Sequence, residues 1–142
     1  MSFLTNQILF PAPTPPNYSL TSHPAHLIWI PQSDSTPSIP CLYYPSSSPA
    51  ASVFLIWTHG NGCDIGSMHE TLVYYSKRLN IHLLAYEYPS YGLCQGSLSE
   101  SSIDAHIRQA YLFVKDVIGW PQERILFYGH SVGSGTACQI VS

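Results

Sequence analysis

Three mainly apolar runs, separated by amphipathic helical patterns, constrain the fold of this chain more than any other feature. The runs cover residues 53–58, 81–86 and 124–128. Each has the length of a strand and lacks polar alternation, as expected for strands buried on both faces of a sheet. Strands that alternate with helices run parallel and are joined by crossover helices. We therefore predict an α/β fold, with a mostly parallel sheet and helices on both faces.

Helical periodicity fills the two gaps between these runs. Apolar residues at three- and four-residue spacing predict helices over 65–79 and 101–118. The apolar positions are Ile65, Met68, Leu72, Tyr75 and Leu79 in the first pattern, and Ile103, Ile107, Ala110, Val114 and Val117 in the second. Asp64 is interpreted as the cap of the first helix. Ser101 with Asp104 predicts a capping box at the start of the second.

The first third of the chain has a different character. Residues 11–16 hold four prolines and predict an extended connector. Short runs at 26–30 and 39–44 predict two early strands, separated by turns rich in Ser, Pro and Thr. We therefore divide the chain into an extended Pro-rich segment, residues 1–20, and a sheet domain, residues 21–142.

The last apolar run leads directly into a serine turn, Gly129-His130-Ser131-Val132-Gly133. A helix is predicted to follow over residues 132–141. A Gly-x-Ser-x-Gly turn between a buried strand and a helix exposes the serine hydroxyl above the sheet of an α/β-hydrolase. We predict that fold, with Ser131 as the nucleophile. The alternative is a glycine-rich turn that binds a phosphate, but no Gly-x-Gly-x-x-Gly or Gly-Lys-Ser pattern accompanies it.

A second turn, His59-Gly60-Asn61-Gly62, follows the first buried run; we call residues 59–62 the oxyanion loop. In the α/β-hydrolase fold, a backbone N–H of this loop and that of the residue after the nucleophile face the developing oxyanion. We predict Asn61 as the loop donor, with Gly62 as the alternative, and Val132 as the second donor. His59 is interpreted as a structural, hydrogen-bonding histidine rather than as the general base. The alternative is a glycine turn that only starts a helix.

Composition limits the partners of the chain. The chain has only five Lys and Arg residues and a net charge of −3. The basic residues form no stripe along the sequence, so we expect no nucleic-acid binding. Charged residues make up only 9% of the chain, against about 25% in a typical soluble domain. This shortfall indicates that part of the surface is normally covered by a partner, a membrane or further chain.

The cysteines and histidines show no metal-like spacing. The four cysteines are Cys41, Cys63, Cys94 and Cys138. They form no Cys-x-x-Cys pair, and we interpret them as reduced cysteines of a cytosolic protein. A metal pair formed by His23 and His26 is a minor alternative, and no metal or cofactor is expected. The sequence has no run of 18 apolar residues, so we expect no transmembrane helix. From the cysteines we expect a cytoplasmic protein, and peripheral membrane association stays open.

Five motifs together point to one family. They are FPAPTPPNYSL (10–20), THGNGCDIGSM (58–68), YEYPSYG (86–92), GSLSE (96–100) and YGHSVGSG (128–135). With them, the chain resembles the α/β-hydrolase domain-containing protein 17 family, serine hydrolases that remove palmitate from proteins, from about residue 7 to residue 142. The resemblance implies hydrolysis of acyl esters or thioesters without a cofactor. The implied substrate is an acylated protein or a lipid-like ester.

The chain also departs from this family's pattern. Animal members carry a palmitoylated cysteine cluster near the N-terminus, whereas no cysteine precedes Cys41 here, so the resemblance does not imply that anchor. Glu87, Pro89 and Ser90 stand where the family often has Asp, Ser and Gly. Because that loop lies near the expected site, we expect a different fit of the acyl group.

Neither an acidic residue nor a histidine follows Ser131 in the sequence. In this fold the catalytic acid and histidine come after the serine, so we expect them beyond residue 142. We therefore predict a hydrolase fold truncated after the serine turn, most simply a gene-model fragment, with the strand at 124–128 left as an exposed apolar edge. Such a chain is expected to be inactive by itself. The alternatives are a non-catalytic remnant or pseudoenzyme that binds acyl chains or a partner, and a peptidase-like serine hydrolase.

Overall fold

The computed structural model describes residues 11–130, together with Gly135 and Cys138. The predictions for Ser131, for Val132 and for the helix over 132–141 therefore lie outside the described residues, apart from Gly135 and Cys138, which are helical.

The described elements follow the predicted order of two early strands and then alternating strands and helices. They are β1 (Leu27–Ile30), β2 (Ile39–Tyr44), β3 (Phe54–Thr58), α1 (His69–Leu79), β4 (His82–Tyr86), α2 (Glu100–Leu112) with a π-helical turn (Phe113–Val117), a 3₁₀ turn (Gln122–Arg124) and β5 (Ile125–Gly129). The apolar runs predicted all five strands to within one residue at each end.

The strands form one sheet with the order β1-β2-β4-β3-β5. β2 is antiparallel to both of its neighbours, β1 and β4, whereas β3 is parallel to β4 and to β5. Every strand except β2 therefore runs in the same direction, which confirms the mostly parallel sheet. In register, Trp57 of β3 lies between Ala85 of β4 and Tyr128 of β5.

Helices α1 and α2 cover opposite faces of the sheet. Successive side chains of a strand point to opposite faces, and those of β4 separate accordingly: Leu83 packs on the α1 side and Leu84 on the α2 side. Leu72 of α1 and the apolar stripe of α2 are buried in these two cores. The stripe of α2 consists of Ile103, Ile107 and Ala110 and continues to Val114. The prediction of helices on both faces is confirmed.

The start of α1 differs from the prediction. The helix begins at His69, and its N-cap residue, Met68, makes no side-chain cap. Asp64 instead accepts a hydrogen bond from the backbone N–H of Ser67 at 2.9 Å, in the turn before the helix. The assignment of Asp64 as the cap of this helix was therefore wrong, because its buried carboxylate serves the loop that precedes α1.

The start of α2 also differs in detail. Its capping box consists of Ser99 and Ser102, two residues before the predicted pair. The end of the predicted stripe differs as well, since Val117 is 71% exposed. The π-helical turn contains more residues per turn than an α-helix, so it rotates Val117 away from the face that carries Val114.

Among the described strands, β5 lies at the edge of the sheet and pairs with β3 alone. Two of its apolar side chains are exposed, Leu126 at 52% and Tyr128 at 41%. The expected apolar edge at this strand is therefore present within the described residues.

Candidate active site

The carboxyl ends of β3 and β5 meet at one edge of the sheet. Thr58 and Gly129, the last residues of these parallel strands, are paired in register, and the backbone N–H of His130 donates to the carbonyl oxygen of Thr58 at 3.3 Å. The oxyanion loop begins directly after Thr58. The structure thus brings this loop beside the backbone that leads into Ser131, which itself lies outside the described residues.

The oxyanion loop turns sharply at Gly62. Its φ of +74° lies in the left-handed region, and a Cβ there would meet only the carbonyl oxygen of Pro11, at 4.0 Å. Glycine is therefore favoured here by the backbone angle and not by lack of room. Asn61 is partly buried and Gly62 is exposed. Both remain candidate oxyanion donors, and Val132, the predicted second donor, lies outside the described residues.

His59, the first residue of the loop, is buried against a carboxylate. Its Nε2 lies 2.7 Å from Oε1 of Glu87, and both side chains are fully buried. Its Nδ1 lies 3.0 Å from the carbonyl oxygen of Gly60, and the hydroxyl of Tyr88 donates to the His59 carbonyl oxygen. The interpretation of His59 as a hydrogen-bonding structural residue agrees with these contacts.

Glu87, which follows β4, receives hydrogen bonds on both carboxylate oxygens. Oε1 accepts from the backbone N–H of Tyr88 at 3.2 Å, in addition to its bond with His59. Oε2 accepts from the Tyr18 hydroxyl at 2.9 Å and from the backbone N–H of Ile65 at 3.1 Å. A buried charge is costly unless it is paired and hydrogen-bonded, and this set of donors meets that requirement.

The end of the Pro-rich segment packs against the same loops. The backbone N–H and the Nδ2 of Asn17 lie 2.8 and 3.3 Å from Oδ2 of Asp64, and the Tyr18 hydroxyl accepts from the N–H of Leu93 at 3.1 Å. A Cβ on Gly92 would lie 2.4 Å from the Tyr18 hydroxyl oxygen. The division at residue 20 stays a prediction, although Asn17 and Tyr18 both hydrogen-bond to residues of the sheet domain.

Tyrosine rings surround His59 on the side of the loop after β4. The ring centroids of Tyr88 and Tyr91 lie 4.1 and 5.6 Å from that of His59. Burial, with the nearby Glu87 and Cys63, raises the pKa of Tyr91 to about 12, so this hydroxyl keeps its proton at neutral pH. It has no hydrogen-bond partner among the described residues.

Comparison with known proteins shows the family to which this chain belongs. The chain is 33% identical over 94 residues to the α/β-hydrolase domain-containing protein aho-3 of Caenorhabditis elegans, a match covering 66% of the chain and 28% of that protein. It is 31% identical over 96 residues to human α/β-hydrolase domain-containing protein 17B, covering 68% and 33%. The chain belongs to the α/β-hydrolase domain-containing protein 17 family. The match spans about a third of the length of these relatives.

Solved structures agree on the fold. An esterase of Pyrococcus furiosus superposes with a TM-score of 0.67 at 16% identity, over 82% of this chain and 45% of that one.

No family model matches the chain. The matched stretch of 96 residues in the human family member is also shorter than the resemblance expected from residue 7 to residue 142.

One departure from the family pattern has a backbone explanation. Ser90 stands where the family often has glycine, and its φ is +65°. Residues other than glycine are uncommon at such angles. The loop after β4 therefore keeps the conformation that glycine favours, with Ser90 strained in it.

The sequence analysis missed the hydrogen-bonding roles of Glu87 and Tyr18, although Glu87 was expected to lie near the site. A signal for Glu87 was present, since it is a charged residue directly after a buried apolar run in a chain with 9% charged residues. Such a residue is rarely buried without a partner. Tyr18 gave no comparable signal, because its contact with Glu87 spans 69 positions of sequence.

The described residues contain no group of three or more His, Cys, Asp or Glu placed to hold a metal ion. Within the same range, no helix combines the length and the apolar character that a bilayer crossing requires. The cysteines at 41, 63 and 94 are free thiols.

Proposed function

We propose that the protein hydrolyses acyl esters and thioesters, with palmitoyl groups on protein cysteines as the substrate and Ser131 as the nucleophile. The observation that carries this proposal is the hydrogen bond between Thr58 and His130. It aligns the oxyanion loop with the backbone that enters the Gly-x-Ser-x-Gly turn, as an acyl-transfer site requires.

The proposed reaction has two steps. The Ser131 hydroxyl attacks the acyl carbonyl carbon while a base takes its proton, and the oxyanion accepts hydrogen bonds from the backbone N–H of Asn61, or alternatively Gly62, and of Val132. The C–S bond of the thioester then breaks, and the cysteine thiol leaves with that proton. Water attacks the acyl-serine in the second step and releases the fatty acid. No cofactor takes part.

The base and its orienting acid are expected after Ser131 in this fold, and the 142 residues hold neither there. Without a base the serine hydroxyl is a weak nucleophile. We therefore propose that the 142 residues alone retain little hydrolase activity. We also propose a cytoplasmic site of action at membrane surfaces, where acylated proteins reside.

The same observation favours a second candidate function. The oxyanion loop beside the serine turn also suits a non-catalytic protein that binds acyl chains or an acylated partner without turnover. A peptidase-like hydrolase is a third possibility, since Gly-x-Ser-x-Gly turns serve acyl transfer from esters and amides alike.

A substrate panel separates these functions. The enzyme form is a chimera in which the 142 residues replace the matching N-terminal region of human α/β-hydrolase domain-containing protein 17B, whose remaining chain follows. We expect release of p-nitrophenol from acyl esters and of thiol from a palmitoylated peptide, and loss of both in Ser131→Ala. Turnover of peptide amides without esters would favour the peptidase-like function. A folded chimera that binds acyl chains but turns nothing over would favour the non-catalytic protein.

A further inference from the structure

We propose that Glu87 is a positioning residue that sets the direction of the Asn61 backbone N–H, acting through His59, and that Tyr18 of the Pro-rich segment holds Glu87 in place. This inference rests on the proposed function, in which the Asn61 N–H is an oxyanion donor. It gives the N-terminal segment a part in the site that none of the five motifs predicts.

The first step of the argument concerns a single peptide plane. The carbonyl of Gly60 and the N–H of Asn61 belong to the same peptide group, which is planar and trans, so the two bonds point in opposite directions. The Gly60 carbonyl oxygen is bound by Nδ1 of His59 at 3.0 Å. Holding the carbonyl toward the buried imidazole therefore directs the Asn61 N–H away from it.

The second step concerns the imidazole. Nε2 of His59 is fixed by Oε1 of Glu87 at 2.7 Å, and the Tyr88 hydroxyl binds the His59 carbonyl oxygen. The partners of the two ring nitrogens are a carbonyl oxygen and a carboxylate oxygen, so the imidazole is held at both nitrogens. The ring cannot turn without losing one of these bonds.

The third step concerns Glu87 itself. Its Oε2 is held by the Tyr18 hydroxyl and by the N–H of Ile65, the residue that leads into the turn before α1. The Tyr18 hydroxyl in turn accepts from the Leu93 N–H. Tyr18 therefore connects the loop after β4 to the carboxylate that orients His59.

Tyr44 supplies a matched control. Like Tyr18 it is a buried tyrosine, exposed by 2% against 5%, and its hydroxyl lies 2.7 Å from Nδ1 of His69. Its hydrogen bond and its ring contacts with His26 and His69 all lie away from the oxyanion loop. Tyr44→Phe thus removes one buried tyrosine hydroxyl bond without changing the proposed relay, the contacts that lead from Tyr18 through Glu87 and His59 to the Gly60–Asn61 peptide.

The experiment is NMR on the isotope-labelled 142-residue chain and its variants Glu87→Gln, Tyr18→Phe and Tyr44→Phe. Residual dipolar couplings report the direction of the Asn61 N–H, and hydrogen exchange reports how well the Ile65 N–H is protected.

In Glu87→Gln an amide NH₂ group replaces one acceptor oxygen and faces hydrogen-bond donors. We expect a changed Asn61 coupling, exchange at Ile65 faster by about tenfold, and unchanged couplings in β3 and β4. Tyr18→Phe should act in the same direction and more weakly, because Oε2 keeps the Ile65 bond.

A purely structural role would shift couplings throughout the sheet or leave Asn61 where it is. An unchanged Asn61 coupling in both relay variants, or the same change in Tyr44→Phe, would overturn the proposal. So would an Ile65 N–H that exchanges at the unfolded-chain rate in the unmodified chain, since the network would then not form. These readouts need no turnover. If the Asn61 N–H changes direction in the relay variants but the substrate panel shows no hydrolysis, the result counts against the proposed function and not against the positioning role of Glu87.

Discussion

The backbone N–H of His130 donates to the carbonyl oxygen of Thr58 across 3.3 Å. This bond extends the parallel pairing of β3 and β5 beyond the pair Thr58 and Gly129. It ties the start of the oxyanion loop to the residue before Ser131 through backbone alone. The side chains around this edge then decide how the loops are held.

Gly92 lies where the Pro-rich segment packs against the loop after β4. An added Cβ would lie 2.4 Å from the Tyr18 hydroxyl oxygen and 2.7 Å from Oε2 of Glu87, on a backbone with φ of +53°. Gly92→Ala should therefore lower the free energy of unfolding by about 3 kcal/mol or more, measured by urea denaturation.

Gly119→Ala is the control for that substitution. Gly119 also has a positive φ, +78°, but nothing lies within 4 Å of an added Cβ. It should lose about 1 kcal/mol from backbone strain alone. Equal losses at the two positions would contradict the close approach of Tyr18 to Gly92.

Ser90 is the position where we expect a stabilising substitution. Its φ of +65° strains a side-chain-bearing residue, and its side chain is exposed. Ser90→Gly should raise the free energy of unfolding by about 0.5–1 kcal/mol, the relief of strain outweighing the extra entropy of the unfolded chain. Ser90→Ala keeps the strain and should give no gain; a gain in both variants would show that backbone strain is not the cause.

His106 of α2 should make stability depend on pH. Its Nδ1 donates to the Glu87 carbonyl oxygen at 3.0 Å, and its buried Nε2 has no partner among the described residues. Burial lowers the pKa of His106 below the ordinary 6.5, an effect that its bond to Glu87 partly offsets. As pH falls through 6.5 toward this lower pKa, the unfolded chain takes up a proton that the folded chain refuses.

Stability should therefore fall in that window, by at most about 1.4 kcal/mol per pH unit from this histidine, and level off below it. His106→Gln keeps an N–H donor for Glu87 and does not titrate. Urea denaturation between about pH 7.5 and pH 5.5 should show a weaker acid loss in this variant. Parallel pH profiles of the two proteins would exclude His106 as the source.

Three of the cysteines should differ in reactivity. Burial raises the pKa of the Cys41 thiol well above its ordinary value and that of Cys94 to about 12, whereas Cys63, beside the oxyanion loop, is partly exposed. The thiolate is the reactive form. Iodoacetamide at mildly alkaline pH should therefore alkylate Cys63 well before Cys41 and Cys94, as followed by peptide mass spectrometry. Urea should abolish the difference, and equal native rates would contradict the burial of Cys41 and Cys94.

The strands were predictable because each apolar run carries its own signal. The run at 81–86, for example, became β4 over His82–Tyr86 with no information from elsewhere in the chain. The ends of the helices were less predictable, because competing local hydrogen bonds determine where each helix begins. The turn in which Asp64 binds Ser67 delays α1, and Ser99 rather than Ser101 caps α2.

The motif located the oxyanion loop in the sequence, but it did not predict which residues hold the loop in place. Glu87 meets His59 across 28 positions of sequence and Tyr18 across 69. Such contacts depend on which loops the sheet order brings together, and β4 lies beside β3 only once the sheet has formed. A single sequence records the polar residue but not the partner that allows its burial.

The most direct test of the central claim is labelling of the serine turn by a fluorophosphonate probe. The samples are the 142-residue chain and the chimera with human α/β-hydrolase domain-containing protein 17B, each with its Ser131→Ala variant. We predict that the chimera is labelled on the peptide that contains Ser131, that Ser131→Ala abolishes the label, and that the 142 residues alone react little. A chimera that unfolds cooperatively yet takes no label, or whose Ser131→Ala variant is labelled equally well, would contradict Ser131 as the nucleophile.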